Sequence, residues 1–85
     1  MSIGQRDLDR FADRHPATRA ALRWFDYGHL PEGLPRQVST ECAKLAIEMI
    51  EALDDGPELS AGLRKLREAK DCFVFEAVME WQDKT

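Results

Sequence analysis

The chain has 85 residues, a formal net charge of −4, 44% hydrophobic and 33% charged content. That length holds one domain, 1–85, with a modest core, and the apolar content excludes a disordered chain. The acidic balance excludes a protein that coats DNA or RNA polymers with a broad basic surface, but not a pocket in which a few arginines or lysines hold a small anion.

No apolar run approaches the roughly 18 residues of a membrane span, and the opening Met1-Ser2-Ile3-Gly4-Gln5-Arg6-Asp7 has no apolar stretch of the signal-peptide kind. The expected location is cytoplasmic. Only Cys42 and Cys72 are present, so a disulfide framework is not expected. No Cys or His pair has metal-ligand spacing, and neither a metal nor a cofactor is expected. A small domain without these staples is expected to gain stability by assembling with copies of itself.

The first segment runs from about Gln5 to Arg14. Leu8, Phe11 and Ala12 form a short helical stripe, and Arg6, Arg10 and Arg14 share a face. That face is either solvated, with Arg6–Asp9 and Arg10–Asp13 pairs, or turned towards a ligand. His15-Pro16 interrupts the pattern, because a residue before proline avoids the helical region. Pro16 then suits the first turn of a second short helix ending near Phe25. Short helices are thus predicted over 5–25.

A loop is predicted over 26–35. Its prolines and glycines suit an ordered turn, and Leu30 and Leu34 can pin it to the core. Tyr27 and His29 offer planar rings that can stack on a nucleobase or cap the core, and Arg36 and Lys44 downstream can pair with phosphate.

The third segment, 35–53, is a helix in which Val38, Cys42, Leu45, Ala46, Met49, Ile50 and Leu53 make one apolar stripe. Asp54-Asp55-Gly56-Pro57 stops it, with Gly56 as a helix C-terminus and Pro57 opening the next. So short a turn makes the flanking helices antiparallel neighbours.

The fourth segment, 57–81, carries Leu59, Leu63, Leu66, Lys70, Phe73, Ala77 and Trp81 on one stripe, interrupted by the lysine. Phe75 and Met79 fall on the opposite side, which predicts a second apolar cover from another subunit. Arg64, Lys65, Arg67 and Lys70 form a basic cluster interleaved with Glu68 and Asp71, on its own a solvated face. The fold class is therefore all-α, an antiparallel helical hairpin with short N-terminal helices in a homo-oligomer.

Catalytic constellations are weak: no phosphate loop, no nucleophile elbow and no His-Glu-x-x-His. A His29–Cys42 thiolate pair is disfavoured by the place of Cys42 on the core stripe, and Cys72 reads as structural. The chain is expected to bind and not to catalyse.

Phe25-Asp26-Tyr27-Gly28-His29-Leu30-Pro31, then Lys44-Leu45-Ala46, Gly56-Pro57-Glu58, and Leu63-Arg64-Lys65-Leu66-Arg67-Glu68-Ala69-Lys70-Asp71 resemble the helical-hairpin sponge proteins of phages. These are the anti-CBASS proteins and the related anti-Thoeris sponges. The likeness spans roughly residues 24–78. It implies an all-helical protein, hexameric in the best-known branch, acting in the cytoplasm of an infected bacterial host. It also implies that cyclic dinucleotides such as cyclic GMP-AMP, and in some members cyclic trinucleotides, are held between subunits and released unaltered. Tyr27 is the counterpart of a base-stacking tyrosine. Ser39, Thr40 and Lys44 correspond to a phosphate contact early in the first hairpin helix, and Arg64, then Arg67, to an arginine of a second pocket. One departure stands out: relatives often carry an arginine near Phe75. A reading of a different class is a helical interaction or regulatory adaptor module that binds a host protein through its aromatic C-terminal face, with no nucleotide ligand.

Overall fold

The computed structural model describes residues 9–27, 30 and 32–84, with the side chains of 82–84 outside that description. Among these residues the chain is all-helical, with no strand. Three helices are delimited: α1 (Pro16–Leu22), followed by a 3-10 turn (Arg23–Phe25), α2 (Leu34–Ala52) and α3 (Pro57–Lys84). Asp9 and Arg10 are helical too; the rest of the predicted first stripe, with Leu8 and Arg6, lies outside the described residues.

Each helix starts where its sequence supplies a cap. His15 sits at ψ 142, as a residue before proline must, and its Nδ1 accepts the Ala17 N–H at 3.0 Å. Pro16 then costs α1 no hydrogen bond. Gly33 opens α2 at φ 132, a backbone region that side chains rarely adopt, and its carbonyl accepts the Gln37 N–H at 3.0 Å. Pro57 opens α3, with the Gly56 carbonyl accepting from Ser60 at 3.1 Å and Glu58 in the favourable first turn. Gly56 thus begins α3 and does not close α2. The first residue beyond α2 is Leu53, which turns to extended backbone.

α2 and α3 pack along one another, and α1 and the 3-10 turn pack on both. The core is Leu22, Phe25, Ile50 and Leu63, fully buried, with Phe11, Ala21, Cys42, Ala43, Ala46 and Leu59 around them. Burial of each large side chain contributes about 1.5–3 kcal/mol. The buried face of α2 is Pro35, Ser39, Cys42, Ala43, Ala46 and Ile50, so the predicted stripe is rotated. Leu45, Met49 and Leu53 stay exposed. The reason is volume: the small Ser39, Ala43 and Ala46 let Leu22 and Phe25 approach the helix, which bulkier residues would prevent. Phe73 is likewise off the core face and 57% exposed, while Ala77 is buried.

Of the arginine face of the first segment, Arg10 and Arg14 are spent inside the chain, and Arg6 lies outside the described residues. Arg10 pairs with Glu51 and not with Asp13, its guanidinium lying 5.2 Å from the centroid of the Phe11 ring. Arg14 donates to the carbonyls of Ile50 and Leu53, the latter at 2.6 Å, and its Nε reaches Asp55 at 3.0 Å. α2 has no basic residue in its own last turn, so Arg14 supplies the cation that its orphan carbonyls favour.

Candidate functional site

The first turns of α2 separate two depressions. One, of about 350 Å³, is lined by Glu32, Gly33, Arg36, Gln37, Thr40 and Glu41. Arg36 stands 3.9 Å from Glu32, four residues back, and its Nε is buried without a hydrogen-bond partner. The Thr40 hydroxyl donates to the Arg36 carbonyl at 2.7 Å, which satisfies it locally on the helix. Two of the residues expected to meet a ligand are therefore brought together, at the positive end of a 19-residue helix. Two carboxylates share the rim.

The second depression, of about 240 Å³, is walled by Leu30, Val74, Phe75 and Val78, with Asp26, Ser39, Lys70 and Asp71 as its polar groups. Ser39 is 1% exposed, so its hydroxyl serves this wall and not an open surface. Asp26 and Leu30 flank Tyr27 in sequence. Tyr27 itself is half-buried and packs against the core cluster, and its carbonyl accepts the Leu30 N–H at 3.1 Å. It has the packing of a cap on one side and an accessible remainder on the other. His29 lies outside the described residues.

The other expected residues do not join these depressions. Lys44 is exposed, one turn beyond Thr40, and pairs with Glu41 at 3.4 Å. Arg64 is exposed on α3. Arg67 lies over the Trp24 ring, 5.1 Å from its centroid, a cation–π contact that ties α3 to the 3-10 turn. Of the two candidates for the arginine of a second pocket, Arg64 is thus exposed and Arg67 is engaged within the chain.

Lys70 is the residue that sequence reasoning undervalued. It interrupts the apolar stripe because its ammonium has a place there: Nζ donates to the Trp24 carbonyl at 2.7 Å, meets Asp71 at 3.2 Å and lies 5.8 Å from the centroid of the Phe25 ring. A lysine in a core stripe needs such partners, and that was the available signal. Asp55 has no such signal. It accepts from the His15 N–H at 2.9 Å, the Thr18 hydroxyl at 2.8 Å and Arg14, and these donors, the His15 N–H foremost, hold its carboxyl below the usual carboxylate range.

A third groove is apolar. Leu45, Met49 and Leu53 of α2 and Leu59, Gly62, Leu63 and Leu66 of α3 line about 340 Å³. Cys42 is buried, and burial pushes its thiol up, away from the thiolate form; Cys72 is exposed, a surface position in place of the expected structural one. Among the described residues no group of three or more His, Cys, Asp or Glu is placed to hold a metal ion, and no helix is long and apolar enough to cross a membrane. No family model matches the chain, and neither curated proteins nor solved structures yield a match.

Proposed function

We propose that the chain is a sponge that binds cyclic oligonucleotide second messengers, cyclic dinucleotides such as cyclic GMP-AMP and also cyclic trinucleotides, and releases them intact. The observation that carries this reading is the joint lining of one depression by Arg36 and Thr40; the half-buried Tyr27 packs on the core cluster, and Asp26 and Leu30, close to it in sequence, line the second depression. A guanidinium with a buried unpartnered Nε, a helix N-terminus and a planar ring are the groups that phosphate and base require. The resemblance over residues 24–78 supports the same ligand.

In this reading α2 and α3 form an antiparallel hairpin, and copies of it assemble into a homo-oligomer, a hexamer by resemblance. Each depression is shallow, and a second copy would close it. The exposed Phe75 at the rim of the second depression, 65% accessible, supports such a cover. Sequestration needs no chemistry on the ligand; tight binding and enough sites lower the free signal by mass action. The protein would act in the cytoplasm of an infected bacterium.

Calorimetry against cyclic di- and trinucleotides and cyclic ADP-ribose isomers tests the ligand. Heat denaturation of the complex followed by chromatography tests the fate: intact ligand in proportion to sites is expected, and a hydrolysed product growing with time would mean an enzyme. A second reading, a helical adaptor without nucleotide ligand, is favoured by the apolar α2–α3 groove together with exposed Phe73 and Phe75. No binding across the panel would turn the assignment to it.

A further inference from the structure

Both depressions depend on a stretch of chain that α3 grips at its two ends. Before Tyr27 the grip is Lys70, with only 12% of its side chain exposed and its Nζ on the Trp24 carbonyl. After Tyr27 the grip is Trp81. Its indole lies on Gly33 so closely that a Cβ there would stand 3.1 Å from Cζ2 and 3.4 Å from Cε2 and Cη2. Gly33 at φ 132 therefore answers two demands at once: a backbone that side chains rarely adopt, and room for a ring. Trp81 lies eleven residues beyond Lys70, about 16 Å along the helix axis and within roughly 20° of the same face. One face of one helix thus holds the chain at Trp24 and again at Gly33.

Trp81 is not part of the core cluster. It stands at the C-terminal end of α3, exposed, and its contact with Gly33 lies at the entry to α2. A ligand that stacks on Tyr27 and pairs with Arg36 must meet both at a fixed separation. Without the two grips, that separation is ordered only at binding, at the expense of affinity.

We infer that Lys70 and Trp81 are positioning residues of the ligand site: from α3 they fix where Tyr27 stands relative to the Arg36–Thr40 depression. This rests on the nucleotide-binding reading, and the test separates the two. Calorimetry with cyclic GMP-AMP compares the parent with Trp81→Ala, Trp81→Phe and Gly33→Ala. Trp81→Ala and Gly33→Ala weaken binding by roughly tenfold, and Trp81→Phe restores most of it. Hydrogen exchange of the full chain, read by NMR, follows the Gln37 amide, which donates to Gly33, and the Leu30 amide, which donates to Tyr27. Gln37 exchanges faster in Trp81→Ala, and Leu30 faster in Lys70→Met, which keeps the length of the stem, while Leu63 in the core is unchanged in both.

If the parent binds and Trp81→Ala binds as well, the inference is overturned. It is equally overturned if the Gln37 and Leu30 amides keep the parent's rates, or if Leu63 accelerates with them, which would make the contacts merely global stabilisers. If the parent binds no cyclic nucleotide, the functional reading fails, and the exchange rates still decide whether α3 holds this stretch.

Discussion

Arg14 and Asp55 meet at 3.0 Å, and through that contact the N-terminal segment is fastened to the turn between α2 and α3. The same guanidinium donates to the carbonyls of Ile50 and Leu53, so one side chain both pairs a carboxylate and caps a helix. Arg14→Ala is expected to destabilise the fold by about 1–3 kcal/mol, the worth of hydrogen bonds from a charged donor. Urea denaturation followed by circular dichroism measures it. Arg14→Lys, which cannot fork between these acceptors, should recover only part.

Asp55 is expected to make the fold acid-sensitive. Its folded pKa is lowered chiefly by the His15 N–H, then by Thr18 and Arg14. A depressed carboxyl contributes stability that is fully present above the unfolded pKa of about 4 and is lost as pH falls through the lower folded value. Thermal melts from pH 7 down to pH 3 should show Asp55→Asn less stable than the parent at pH 7, with the two curves converging in acid. A constant gap down to pH 3 would show that the carboxylate charge is not what matters.

Tyr27→Ala should weaken cyclic nucleotide binding by roughly 1–3 kcal/mol, the usual worth of base–aromatic stacking. Because Tyr27 also packs on the core cluster, Tyr27→Phe is the control. It keeps the ring and should bind within a few-fold of the parent. Equal binding by Tyr27→Ala would make the residue a cap only.

The assembly prediction rests on Phe75. In the single chain it is largely exposed, so Phe75→Glu should leave a monomer's stability nearly unchanged. In an oligomer it would bury an unpaired carboxylate at a cost of several kcal/mol. Light scattering on a sizing column should give a multiple of the 9.7 kDa chain for the parent and a smaller one for Phe75→Glu. A parent that runs as a monomer at micromolar concentration would sink both the assembly and the shared pocket.

Core truncation provides a scale for these effects. Leu22 and Ile50 are fully buried, and Ile50→Ala should cost about 2–5 kcal/mol, because the removed carbons leave a cavity that packed neighbours only partly fill. Leu45→Ala, exposed on the same helix, should cost far less in a single chain.

The helices were legible because their signals are local. His15-Pro16 and Pro57 mark starts, and apolar spacing marks the long segments. The face of α2 was not legible, since Leu45 and Met49 are the more apolar choices and only the bulk of Leu22 and Phe25 explains why Ser39 and Ala43 lie inside. The partners of Arg14, Asp55 and Lys70 were hidden for a related reason. Apart from Asp71, which adjoins Lys70, each lies more than 30 residues away in sequence, where no spacing rule reaches. Of the expected ligand residues, Arg36 and Thr40 share a depression because they lie one turn apart on α2, a periodicity that sequence does carry. The contact of Arg67 with Trp24 was not legible, because its aromatic neighbour comes from another element.

The borrowed cap on α2 bears on the order in which the chain becomes stable. α2 ends without a cation of its own, and the one it uses comes from a residue that a ribosome delivers first. That early segment has nothing to hold until Leu53 and Asp55 have been made. The contact closes a loop of about 40 residues, which is entropically slow to form compared with a helical turn. Arg14 is therefore expected to act late, slowing unfolding more than it speeds folding. A chain begun at Pro16 would then refold at nearly the parent's rate and fall apart sooner, a difference that stopped-flow unfolding would read directly.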